Sequence, residues 1–138
     1  MNNRTFAIIK PDAVNNKYTG KIYNHIIDAG FNILASKLIR LSKEQAKEFY
    51  SIHKDKPFYN DLTQFMSSGK CMILAIEKEN AVEEWRNTIG ATNPEDADDG
   101  TIRKLYASSL GENAVHGSDS DKNAQKEIAF FFNEFELK

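Results

Sequence analysis

Four apolar residues in a row, Phe6-Ala7-Ile8-Ile9, lie between Thr5 and Lys10 and are halted by Pro11. A continuous apolar run of this length reads as a buried strand, and proline ends it because it cannot donate to a ladder. The following segments alternate between the two periods of regular structure. Thr19 to Ala29 reads as a helix with Ile22, Ile26 and Ala29 on one face and Gly30 at its C′ position. Phe31, Ile33, Ala35, Lys37, Ile39 and Leu41 mark one phase of a second strand. Ser42-Lys43-Glu44-Gln45 is a capping box opening a helix whose stripe is Ala46, Phe49, Tyr50 and His53.

A second short helix is expected over Tyr59 to Ser67, and Cys71 to Ile76 is the third strand. Asn80 and Glu83 are read as caps of the next helix, which buries Ala81, Trp85 and Ile89 and ends at Gly90. Residues 90–112 form a long loop punctuated by Gly90, Pro94, Gly100 and Gly111, with a short helical piece near Thr101 to Ser108. Loops this long in a compact domain usually carry function. A fourth strand reaches His116, and a last helix runs from about Asp121 to Phe132 on Ala124, Ile128, Phe131 and Phe132. This order is the ferredoxin-like split β-α-β pattern with additions. The expected class is α+β: a four-stranded antiparallel sheet with helices and a long loop, in one domain over residues 1–138.

Composition sets the compartment and excludes some partners. Apolar residues make up 41% and charged residues 28%, the balance of a folded, soluble chain. A net charge of −2 argues against a general nucleic-acid binder but not against a local cationic pocket. No apolar run is long enough to span a bilayer, and no signal-peptide core is visible. The single Cys71 lies in an apolar run with no partner for an internal disulfide, so a buried structural thiol in a reducing, cytoplasmic setting is expected.

The chemistry centres on Asn113-Ala114-Val115-His116-Gly117-Ser118-Asp119-Ser120, where an imidazole stands at a strand end before a glycine that lets a substrate come close. Read alone, this is first of all a polar turn with a surface histidine. No other histidine has metal-ligand spacing, so no metal site is assigned. A Ser-His-Asp hydrolase is poorly supported, because Ser118 and Asp119 are too near in sequence and no Gly-x-Ser-x-Gly elbow exists. A nucleophilic histidine needs an acceptor on its other ring nitrogen, and Glu127, beside the stripe of the last helix, is a candidate. Lys10, Arg86 and Arg103 are each readable as solvated charges, yet together they could clamp polyphosphate oxygens. Neither a P-loop nor the protein-kinase signatures occur.

Several pieces then stand in one order: Ile9-Lys10-Pro11-Asp12-Ala13-Val14, His53-Lys54-Asp55-Lys56-Pro57-Phe58, Gly90-Ala91-Thr92-Asn93-Pro94, Gly100-Thr101-Ile102-Arg103 and Asn113 to Ser120. With them the chain resembles the nucleoside diphosphate kinases over nearly its full length. The resemblance implies ping-pong transfer of a γ-phosphate from a nucleoside triphosphate to a nucleoside diphosphate through a phosphohistidine on His116. It implies that Glu127, with Ser118 beside it, holds the imidazole, and that the Tyr50 hydroxyl lies near the moving phosphoryl. Lys10, Arg86, Thr92 and Arg103 match phosphate-binding positions, Asn113 with Lys10 the sugar contacts, and Phe58 the base platform. Leu62 and Leu110 are read either as lining the same slot or as core. Mg²⁺ would arrive on the nucleotide phosphates without a direct protein ligand.

The resemblance also implies a homo-oligomer, a tetramer or a hexamer. Asp99 stands where proline is common, Lys104-Leu105 replaces a small residue and an acid, and Lys70 stands where proline is frequent. The first two flank the loop that helps subunits assemble in relatives, and without the proline that loop should be less stiff. Two other readings share the pocket: a nucleotide-sensing module without turnover, and a relay protein that passes its phosphoryl group to another protein.

Overall fold

The computed structural model describes residues 3–138. Four strands form one sheet: β1 (Arg4–Ile9), β2 (Asn32–Arg40), β3 (Lys70–Glu77) and β4 (Val115–Gly117), in spatial order β2-β3-β1-β4. All three pairings are antiparallel, as expected from the order of elements. The helices are α1 (Pro11–Asn15), α2 (Thr19–Asp28), α3 (Lys43–Phe49), α4 (Tyr59–Met66), α5 (Ala81–Ile89), α6 (Ile102–Tyr106) and α7 (Asp121–Phe131). Short 3-10 turns lie at Ser51–His53, Pro94–Asp96 and Glu134–Leu137.

Helices cover both faces of the sheet, which is why β1 and β3 read as continuous apolar runs rather than alternating ones. Ala7, Ile9, Leu74 and Ile76 face one core with Ile22 and Ile26 of α2 and Trp85 and Ile89 of α5. Phe6, Ile8, Ile73 and Ala75 face the other, with Ala46 of α3, Met66 of α4 and Ile128 of α7. Phe6, Ile8 and Ile9 are completely buried, and each such side chain stabilises the fold by roughly 1.5–3 kcal/mol.

Local signals place the ends of these elements. The Gln45 N–H donates to Ser42 Oγ at 3.0 Å and the Ser42 N–H to Gln45 Oε1 at 2.9 Å, completing the expected capping box. Gly30, at φ +95°, closes α2. There the Gly30 N–H donates to the Ile27 carbonyl and the Phe31 N–H to that of Ile26. Ser120 caps α7 by accepting from the Asn123 N–H at 3.1 Å.

Two expectations are corrected. β2 is not one phase: its pairing shifts between Ile33 and Ala35, where Leu34 is an extra residue. Phe31 and Ile33 therefore face the first core, and Ala35, Ile39 and Leu41 the second. A bulge of this kind turns the side-chain alternation over to the opposite face. Asn80 does occupy the position before α5, but with φ +59° and no side-chain hydrogen bond into the helix. Gly117 is absent from the left-handed glycines Gly30, Gly90 and Gly100. Its missing side chain makes room on the inner face, where a Cβ would meet Trp85 Cδ1 at 3.0 Å and Ile89 Cδ1 at 3.1 Å.

Candidate active site

The register of β4 aims His116. His116 pairs with Ile8, and directly opposed residues in an antiparallel pair project to the same face. The ring therefore leaves the sheet on the side of α3 and α7. Phe6, Phe49 and Tyr50 surround it edge-on or nearly so, with ring centroids 6.0, 5.6 and 6.1 Å away. From the other face Trp85 Nε1 donates to the His116 carbonyl at 3.1 Å, so the backbone is held as well as the ring.

Glu127, on α7, reaches back as the helix periodicity suggested. Its Oε1 lies 2.7 Å from His116 Nε2 and accepts from Ser118 Oγ at 2.8 Å. A carboxylate acceptor puts the proton on Nε2 and the lone pair on Nδ1. Burial pulls the imidazole below its ordinary pKa, the Glu127 hydrogen bond and charge pull it back, and Lys10 and Arg103 add to the lowering. At neutral pH the ring is thus uncharged.

His116 opens onto a cleft of about 780 Å³ that Lys10, Tyr50, Phe58, Arg86, Thr92, Arg103, Asn113 and Glu127 also line. That volume suits a nucleotide-sized ligand. Lys10, which follows β1, is buried, and its Nζ donates to Asn113 Oδ1 at 2.9 Å. Burial first, then Arg103, push its ammonium down to about 8, against the pull of Asp12. Tyr50 is buried with no hydrogen-bond partner for its hydroxyl. Burial, then the Glu127 charge, hold its phenol above the ordinary value, so it remains a donor.

The two arginines differ. Arg86 and Thr92 stand exposed at the cleft. Arg103 is buried and donates from Nε to the Asn113 carbonyl at 3.3 Å, from Nη1 to that of Gly90 at 3.0 Å and from Nη2 to that of Val115 at 2.9 Å. Guanidinium carries five N–H donors, so two remain for an anion. Burial, then Arg86, push its pKa down to about 10, which leaves it charged at neutral pH.

Phe58, Leu62 and Leu110 share an adjoining lobe of about 580 Å³ with Phe65, Asp61 and Glu112. Phe58 is 48% exposed and Leu110 58%, so neither is a core side chain. Leu62 also packs against the second core.

Comparison with known proteins decides the family. A sequence model described as nucleoside diphosphate kinase matches residues 3–137. The chain belongs to the nucleoside diphosphate kinase family. A nucleoside diphosphate kinase of Phenylobacterium zucineum is 55% identical over 137 residues, covering 99% of each chain. One from Persephonella marina is 52% identical over 134 residues, covering 97% of this chain and 96% of its own. The crystal structure of the Aquifex aeolicus nucleoside diphosphate kinase superposes with a TM-score of 0.96 at 40% identity, over 99% of each chain. A halophilic nucleoside diphosphate kinase from Halobacterium salinarum, in complex with CDP, gives 0.94 at 37% identity, over 100% of this chain and 92% of that one. As a member of the nucleoside diphosphate kinase family the chain is a phosphotransferase, and the expected ferredoxin-like fold is the one these structures share.

Sequence reasoning missed several cleft residues: Phe49 as a wall of the histidine pocket, and Asn87, Asp98, Asp119 and Asn123 along the rim. Phe49 was legible only as part of an apolar stripe. Asn87, Asp98 and Asp119 are exposed and Asn123 half-buried, polar groups with no periodic signature. Among the described residues no group of three or more His, Cys, Asp or Glu side chains could hold a metal ion, and no helix is long and apolar enough to cross a membrane. Cys71 is buried, with its thiol pushed up to about 11 by burial.

Proposed function

We propose that His116 Nδ1 attacks the γ-phosphorus of a nucleoside triphosphate. The bond between phosphorus and the β,γ-bridging oxygen breaks, a bond from Nδ1 to phosphorus forms, and the nucleoside diphosphate leaves. A terminal phosphate oxygen of a second nucleoside diphosphate then attacks the phosphohistidine and restores the free ring. One site serves both halves because they are near mirror images. The observation that carries this reading is the 2.7 Å contact from His116 Nε2 to Glu127, which leaves Nδ1 with its lone pair beside a cationic cleft.

In this reading Glu127 fixes the tautomer and stabilises the charge that the ring acquires, with Ser118 holding the same carboxylate oxygen. The Tyr50 hydroxyl, buried and unpartnered, donates to the transferred phosphoryl. Arg86, Thr92 and Arg103 receive the phosphates, because phosphoryl transfer is mostly positioning and charge stabilisation. Lys10 and Asn113, already bonded to each other, take the sugar hydroxyls and nearby phosphate oxygens. Phe58 stacks on the base, with Leu62 and Leu110 closing the slot. A base held by stacking admits any nucleobase. Mg²⁺ enters as part of the substrate, held by phosphate oxygens and waters. The working particle is a homo-oligomer of single-domain chains, tetramer or hexamer, in the cytoplasm.

Incubation with γ-labelled ATP and Mg²⁺ tests this directly. An acid-labile, base-stable label should form on the protein and move to an added nucleoside diphosphate. Normal turnover in His116→Ala would reject the mechanism. Label that no diphosphate discharges would favour a relay protein instead.

A further inference from the structure

Ala114 has φ +72° although it is not a glycine. Around it the Val115 N–H donates to the Asn113 carbonyl at 2.8 Å. A hydrogen bond spanning one left-handed residue is the strained form of the γ-turn, and such a conformation persists only where its surroundings over-determine it.

Three groups do so. The Lys10 backbone N–H donates to the Ala114 carbonyl at 2.8 Å. Arg103 brackets the turn through the carbonyls of Asn113 and Val115. Asp12 Oδ2 accepts the Ala114 N–H at 3.0 Å, across 102 positions of sequence. Lys10 and Arg103 already belong to the cleft, whereas Asp12 is buried on α1, outside it. The second carboxylate oxygen of Asp12 is buried with no hydrogen-bond partner. Burial raises its pKa, and the backbone N–H groups of Ala114, Ala13 and Asp12 together with the Lys10 charge oppose that rise. A buried carboxylate needs polar partners, and of these the Ala114 N–H is the one that ties Asp12 to the turn.

The turn stands between two groups of the proposed reaction. Asn113 precedes it and accepts from Lys10 Nζ; His116 follows two residues later. A change of backbone at Ala114 redirects both. We propose that Asp12 is a positioning residue for phosphoryl transfer, its carboxylate clamping the left-handed turn at Ala114 and so setting where Asn113 and His116 point. This rests on the reading of His116 as the nucleophile.

The test measures the single-turnover rate of protein labelling by γ-labelled ATP, together with thermal stability. The chains are the unaltered protein, Asp12→Asn, Asp12→Ala, Ala114→Gly and the double variant Asp12→Ala/Ala114→Gly. Misplacing a reacting group by about 1 Å can cost on the order of 100-fold in rate, and Asp12→Ala should lose rate on that scale. Asp12→Asn keeps an acceptor for the Ala114 N–H and should retain most of the rate. Ala114→Gly should label normally, because glycine adopts this φ without strain.

The double variant is the discriminating arm. Glycine should restore labelling lost in Asp12→Ala without lowering the melting temperature further, because it adopts this φ without the strain that alanine carries there. Labelling of Asp12→Ala at the normal rate would overturn the inference while leaving His116 as the nucleophile. So would an Asp12→Asn as slow as the alanine variant, or a double variant no faster than Asp12→Ala. An unaltered chain that takes no label would overturn the reading of His116 and this inference with it.

Discussion

Glu127 Oε1 lies 2.7 Å from His116 Nε2, although eleven positions separate the two residues in sequence. One belongs to the last helix and the other to a three-residue edge strand. The contact fixes which ring nitrogen carries the proton, and thereby which one keeps its lone pair.

Loss of that contact should slow chemistry more than binding. In Glu127→Ala the ring keeps its aromatic walls but loses its orienting acceptor. We expect the single-turnover phosphorylation rate to fall on the order of 100-fold, the scale of a mis-aimed reacting group. Nucleotide affinity should stay near normal. A stopped-flow or quenched-flow rate equal to that of the unaltered chain would remove Glu127 from the mechanism.

Phe58→Ala should show the opposite split. Stacking contributes about 1 kcal/mol beyond buried area, which corresponds to roughly a fivefold rise in KM. The turnover of bound substrate should change little. Because Phe58 is 48% exposed, its truncation should move stability by no more than about 0.5 kcal/mol, as for ordinary surface positions. Steady-state kinetics and a denaturant melt measure both quantities, and an unmoved KM would mean that the base rests elsewhere.

Lys10 predicts a pH signature. Burial and Arg103 hold its pKa at about 8 in the free protein. Nucleotide phosphates favour its charged form and must raise that value. Binding above pH 8 should therefore take up a proton and weaken as pH rises. For stability the sign is reversed: between about 8 and the ordinary 10.5 the unfolded chain binds the extra proton, so through this group folding gains as pH rises. Calorimetric titration with ADP at pH 8.5, in buffers of different ionisation enthalpy, should show uptake that disappears in Lys10→Met.

Gly117→Ala should destabilise through α5. The added Cβ would stand 3.0 Å from Trp85 Cδ1 and 3.1 Å from Ile89 Cδ1. Overpacking of this kind costs typically 1–3 kcal/mol. Trp85, the single tryptophan, supplies the fluorescence probe for urea melts. A melt unchanged from that of the unaltered chain would mean that α5 retreats without strain.

What could be read in advance divides by the range of the interaction. Ser42 and Gln45 are three positions apart, so their capping box is visible in the sequence and is present in the fold. Ala81, Trp85 and Ile89 repeat at helical spacing and are buried together. The bulge at Leu34 broke an alternation that looked continuous, because the pairing partner on β3, not β2 itself, selects the face. Asn80 has the chemistry of a cap but a left-handed backbone that takes its side chain away from that role.

Short-range pattern alone was enough for the order of strands and helices, since periodicity and capping act over a few residues. Closure of the chain was needed for the site itself. Lys10 meets Asn113 across 103 positions, and Asp12 meets Ala114 across 102. Those contacts exist because β4 docks against β1 at the sheet edge, and no local propensity encodes which distant backbone amide a buried carboxylate will find.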